Sequence, residues 1–115
     1  MQIKDFKNQA TALIAILATL PLAYAADCAD VGTGTNCESR ESMFSFRAAF
    51  CGTDQWRTTG RRSWNNANLN LIGNFGSQQL CWDSFENIIN QCYGKHAVGS
   101  WLFDTFRLEV KFCRN

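Results

Sequence analysis

Four tryptophans, Trp56, Trp64, Trp82 and Trp101, stand in a chain of 115 residues. An indole ring offers a flat apolar face, and a sugar offers apolar C–H faces that stack on it. The hydroxyls around a sugar suit Asn, Asp and Arg. Trp56, Arg57, Arg61, Arg62, Trp64, Asn66 and Asn68 fall around one expected hairpin. That mixture suits a carbohydrate, and Trp101 joins these residues as a candidate ligand contact. The competing reading for each tryptophan is burial, because large aromatics supply much of a small domain's core.

Catalytic groupings are sparse. His96 is the sole histidine and follows the expected end of a helix. A histidine-dependent hydrolase needs a nucleophile within reach of such a base, and no Gly-x-Ser-x-Gly elbow is present. A small secreted ribonuclease is the enzyme class to weigh, with Glu109, Arg107 and His96 around one phosphate. Charges alternating along the wet face of a strand look the same, and a second histidine is missing. Glycosidases need two carboxyls across one cleft, and Asp83, Glu86 and Asp104 form no evident pair. The expectation is binding without catalysis, and neither a cofactor nor a metal is expected.

The six cysteines, Cys28, Cys37, Cys51, Cys81, Cys92 and Cys113, are read as three disulfides. Their closest spacing is nine residues, which argues against clustered metal ligands. Spacing does not choose the pairing; Cys92–Cys113 is the expected bridge, tying a helix end to the last strand. Ahead of them lie Lys4 and Lys7, an apolar run from Ala10 to Leu22, and Ala23-Tyr24-Ala25. This is the pattern of a cleavable secretory leader over residues 1–25, and the run falls short of the ~20 residues a membrane span takes. One cysteine-rich domain over residues 26–115 is expected outside the cell. Of 11 basic and 10 acidic residues, Lys4, Lys7 and Asp5 belong to the leader, leaving nine of each. A neutral mature chain argues against nucleic acid, whose binders carry a basic excess. No Asn-x-Ser/Thr sequon occurs.

The elements that must position these residues follow from periodicity. Residues 26–39, rich in Gly, Thr, Asp and Asn, read as an irregular arm. Residues 39–51 read as a helix with Ser39 or Ser42 as cap and Gly52 as stop. Residues 56–59 are expected as a short strand, 60–63 as a turn and 64–72 as a second strand. In that strand Ala67, Leu69 and Leu71 alternate with Asn66, Asn68 and Asn70. Over residues 77–93, Cys81, Phe85, Ile88, Ile89 and Cys92 share one helical face. The tail, 100–113, alternates as a strand through Phe106, Leu108, Val110 and Phe112. Together these predict an α+β fold: a small disulfide-stabilised antiparallel sheet with two helices packed on it, an α/β sandwich.

Cys81-Trp82-Asp83-Ser84-Phe85, followed by Ile88-Ile89-Asn90-Gln91-Cys92, resembles a segment of small secreted fungal proteins. They carry the glycan-binding domain known from an ink-cap mushroom lectin, the Y-three-like domain. In that pattern one cysteine opens a helix, a second ends it, and glycine follows. A tryptophan then leads into a final strand with an arginine and a terminal cysteine. The matching places here are Cys92, Gly94, Trp101, Arg107 and Cys113. The resemblance implies an α/β sandwich held by disulfides, with a glycan or cell-surface glycoconjugate as partner. Killer toxins and host-directed effectors of fungi share the size, leader and cysteine density, and they would instead take a host protein as partner.

Overall fold

In the computed structural model, which describes residues 25–30 and 34–114, the apolar alternations become a sheet and the 3.6-residue stripes become helices. Helix α1 spans Arg40–Cys51. Ser39 caps it, its hydroxyl accepting the Ser42 N–H at 3.0 Å, and Met43, Phe46 and Phe50 form its buried stripe. Helix α2 spans Gln78–Cys92, and Ser77 caps it through the Leu80 N–H. Its buried face carries Cys81, Phe85, Ile88, Ile89 and Cys92, the five positions expected from the spacing, together with Ser84. The Ser84 hydroxyl is satisfied by donating to the Leu80 carbonyl at 2.6 Å.

Five strands occur among the described residues: β1 (Asp27–Ala29), β2 (Gly60–Trp64), β3 (Ala67–Gly73), β4 (Val98–Phe103) and β5 (Phe106–Lys111). Their order is β1-β4-β5-β3-β2, with every pairing antiparallel. Ala67, Leu69 and Leu71 of β3 and Phe106, Leu108 and Val110 of β5 are buried under the helices. Because side chains alternate along a strand, Arg61, Asn68, Asn70, Arg107, Glu109 and Lys111 lie on the helix-free face. The α+β sandwich expected from the sequence is the observed fold.

Gly99 lets α2 lie directly on the sheet. A Cβ there would come within 2.6 Å of the Ile88 side chain and 2.8 Å of the Cys92 sulfur. Gly52 serves α1 similarly: its backbone is in the ordinary helical region, but a Cβ would meet the Ala48 carbonyl at 2.5 Å. Between the layers, Phe46 packs edge-on against Phe85, Phe50 edge-on against Phe75, and Phe75 lies 4.5 Å from Phe106.

Four expectations are corrected. Residues 56–59 are no strand: a short 3-10 helix occupies Asp54–Arg57, capped by Thr53. Residues 60–63 are no turn but most of β2, an edge strand whose Arg61 and Ser63 face water; the reversal falls at Asn65 and Asn66, with Asn65 at a φ of 52°. The tail is a hairpin of β4 and β5 closed around Asp104 and Thr105, not one strand. The arm contributes β1, which pairs with β4.

The three bridges are Cys28–Cys92, Cys37–Cys113 and Cys51–Cys81. Cys92–Cys113 does not form: β1 brings Cys28 opposite Gly99, over which Cys92 packs, while Cys113 meets Cys37 across an antiparallel bridge. The first two bridges therefore fasten the arm to α2 and to the C-terminal segment, and the third joins the end of α1 to the start of α2. The stretch expected as a secretory leader, residues 1–25, lies outside the described residues apart from Ala25. Among the described residues no helix is long and apolar enough to cross a membrane.

Candidate functional site

The residues expected around a single hairpin are distributed over several surfaces. Arg61 and Asn68 sit on the helix-free face of the sheet, on neighbouring strands. Arg62 lies on the other side, its guanidinium 5.6 Å above the Phe50 ring. It donates to the Gln55 and Thr58 carbonyls at 3.0 and 2.9 Å, clasping the 3-10 helix against β2. Trp56 is half-buried, with the Arg57 guanidinium 4.9 Å above its ring, and Arg57 also pairs with the exposed Asp54 at 3.4 Å.

Trp64 stacks on Phe46 with the ring planes 10° apart, and its indole N–H donates to the Ser42 hydroxyl at 3.1 Å. That hydroxyl in turn donates to Glu38 at 2.6 Å. The other Glu38 oxygen accepts the Asn66 N–H at 2.9 Å. The main chain of Glu38 joins two further elements: its N–H donates to the Phe112 carbonyl and its carbonyl accepts the Tyr93 hydroxyl. The Ser42 hydroxyl, and after it the Asn66 N–H, hold the Glu38 carboxyl below the usual glutamate range. Sequence reasoning missed Glu38, because its partners come from α1, the β2–β3 turn and the C-terminal segment.

Of the expected set, Trp101 lines a cavity. It is 6% exposed, so it serves as a floor rather than an open platform. The groove above it has a volume of about 370 Å³. Phe103, at 36% exposure, lines it from β4, and Leu80, Asp83, Ser84, Glu86 and Asn87 line it from α2. Two aromatic rings on one side and two carboxylates with a carboxamide on the other make a mostly concave surface with a few fixed polar groups, the usual form of a small-ligand site.

The polar groups are held in place. Gln79 donates to one Asp83 oxygen at 2.9 Å, and the Asn87 amide donates to the Asp83 main-chain carbonyl at 2.8 Å. Arg47 of α1 pairs with Glu86 at 3.1 Å. The same guanidinium donates to the Trp82 carbonyl and lies 4.6 Å above the Trp82 ring. Trp82 thus serves as the brace behind Glu86. In sequence these α2 residues look like an ordinary solvated helix face; only the packing of β4 beside them makes a groove.

His96 pairs with Asp30 at 3.1 Å beside a second cleft of about 290 Å³, whose wall includes Tyr93, Lys95 and Phe112. Arg107 and Glu109 pair with each other at 3.9 Å on the helix-free sheet face. Among the described residues, no hydrogen bond or ion pair joins His96 to Glu109 or Arg107 into one phosphate site. Nor is any group of three His, Cys, Asp or Glu residues there placed to hold a metal ion.

A family model described as alpha-galactosyl binding lectin matches residues 38–115. The matched stretch holds both helices, strands β2 to β5 and the whole groove. No curated protein matches the chain.

Proposed function

The chain belongs to the alpha-galactosyl binding lectin family, and from that premise we propose that it binds glycans ending in an α-linked galactosyl unit. Binding takes place outside the cell and leaves the glycan unchanged. The family match carries this reading, and the groove floored by Trp101 gives it a physical basis. Galactose has an axial 4-hydroxyl, which leaves a continuous C–H patch on its opposite face. That patch suits the Phe103 and Trp101 rings, while ring hydroxyls donate to Asp83, Glu86 and the Asn87 carbonyl. The Y-three-like resemblance running through α2 points to the same class of ligand, and three disulfides are consistent with an extracellular setting.

A glycan array probed with the oxidised protein tests this reading. Signal concentrated on α-galactosyl ends, and lost with Phe103→Ala, is expected. An array on which β-linked galactose or unrelated sugars bind as well as α-galactose would defeat it.

A further inference from the structure

We infer that the Trp101–Phe103 groove selects neutral or cationic sugar ends and rejects acidic ones such as uronic acids and sulfated galactose; the inference rests on the lectin reading above. The reason is which polar atoms remain for a ligand. Ser84 already gives its hydroxyl proton to the Leu80 carbonyl at 2.6 Å. Asn87 gives an amide proton to the Asp83 carbonyl, leaving its own side-chain oxygen as an acceptor. Asp83 and Glu86 are ionised acceptors without protons to offer. Each has one oxygen engaged, Asp83 with Gln79 and Glu86 with Arg47.

Charge points the same way. Asp83 and Glu86 carry two negative charges, and Arg47 offsets one from behind while its guanidinium is also held by the Trp82 carbonyl and ring. Among the described residues, no Lys or Arg lines the groove. A hydroxyl donates to these carboxylates, whereas a ligand carboxylate or sulfate offers only more acceptors. Like charges about 6 Å apart beside carboxylates this exposed cost about threefold to tenfold in affinity. An ammonium in place of a hydroxyl gains from the same field, and added salt shrinks both differences.

The test is competition binding to the oxidised protein by four sugars: α-galactosyl, its 6-sulfate, its galacturonosyl analogue and its 2-amino-2-deoxy analogue. The acidic members are expected to bind about threefold to tenfold more weakly than the neutral one and the amino sugar more tightly. Asp83→Asn, which removes one of the two charges but keeps a side-chain oxygen as acceptor, is expected to narrow the ratio of neutral to acidic affinity severalfold, the ratio being read whatever the change in neutral-sugar binding itself. Glu86→Gln is the second variant, with near-ultraviolet circular dichroism confirming its fold. Equal binding of acidic and neutral members, or a gap that both variants leave unchanged, overturns the selectivity and leaves the lectin reading standing. Absence of binding to all four removes the lectin reading and the selectivity with it.

Discussion

Replacing Glu38 with Ala removes one carboxylate from two cross-element contacts. The Ser42 hydroxyl loses its 2.6 Å acceptor and the Asn66 N–H its 2.9 Å acceptor. Hydrogen bonds to charged groups contribute about 1.5–3 kcal/mol each when well shielded. Both contacts here are only partly buried, so water recovers much of that value, and a total loss of about 1–2 kcal/mol follows. The Glu38 main-chain bonds to Phe112 and Tyr93 survive the change. With a urea slope of about 1–2 kcal/mol per molar for a domain of this size, the unfolding midpoint at pH 7 falls by about 1 M. The carboxyl is held below the usual glutamate range in the folded state, by the Ser42 hydroxyl first. Its contribution is therefore fully present above the unfolded value of about 4.3 and is lost as pH falls through the lower folded value. The gap between wild type and Glu38→Ala is thus expected to be full at pH 7 and to close in acid. Equal midpoints at pH 7, or a gap that stays constant as the pH falls past that range, would refute the reasoning.

Gly99→Val is expected to destabilise the fold by about 1–3 kcal/mol or more, because α2 must move off β4 to admit the side chain; thermal unfolding measures it, and an unchanged midpoint would contradict the close approach. Replacing Cys51 and Cys81 by Ser opens a bridge with a sequence separation of 30. Chain entropy puts that loss at about 3–4 kcal/mol, to be read as a lower urea midpoint with the other two bridges intact by mass. Trp64→Phe keeps the stack on Phe46 but removes the N–H donated to Ser42. A loss of about 1 kcal/mol is expected, checked by the same urea titration.

The legible parts of the fold were those where one segment carries its own pattern. The stripe from Cys81 to Cys92 and the alternation Ala67-Leu69-Leu71 each report burial on one side without help from elsewhere. Strand β2 was hidden because it is an edge strand: Arg61 and Ser63 face water, and Arg62 buries its stem over Phe50 as an apolar residue would. The reversal at Asp104 and Thr105 lacks glycine and proline, so the tail read as continuous. The bridges depended on β1, three residues whose pairing with β4 no local periodicity announces.

The same limit explains the candidate site. Tryptophan chemistry was visible, and Trp101 does line a groove, but Trp64 and Arg62 are engaged in holding the edge strand to α1 and to the 3-10 helix. Asp83, Glu86 and Asn87 come from a helix face that, alone, looks merely solvated. Their meaning depends on Phe103, which reaches them only because the tail turns back on itself.

Isothermal titration of the oxidised protein with an α-galactosyl-terminated oligosaccharide, beside its β-linked counterpart, tests the central claim most directly. Saturable binding of the α-linked sugar at one site per chain, abolished in Phe103→Ala and weak for the β-linked sugar, is the predicted result. Binding that survives intact in Phe103→Ala, or no heat with either sugar, would contradict it.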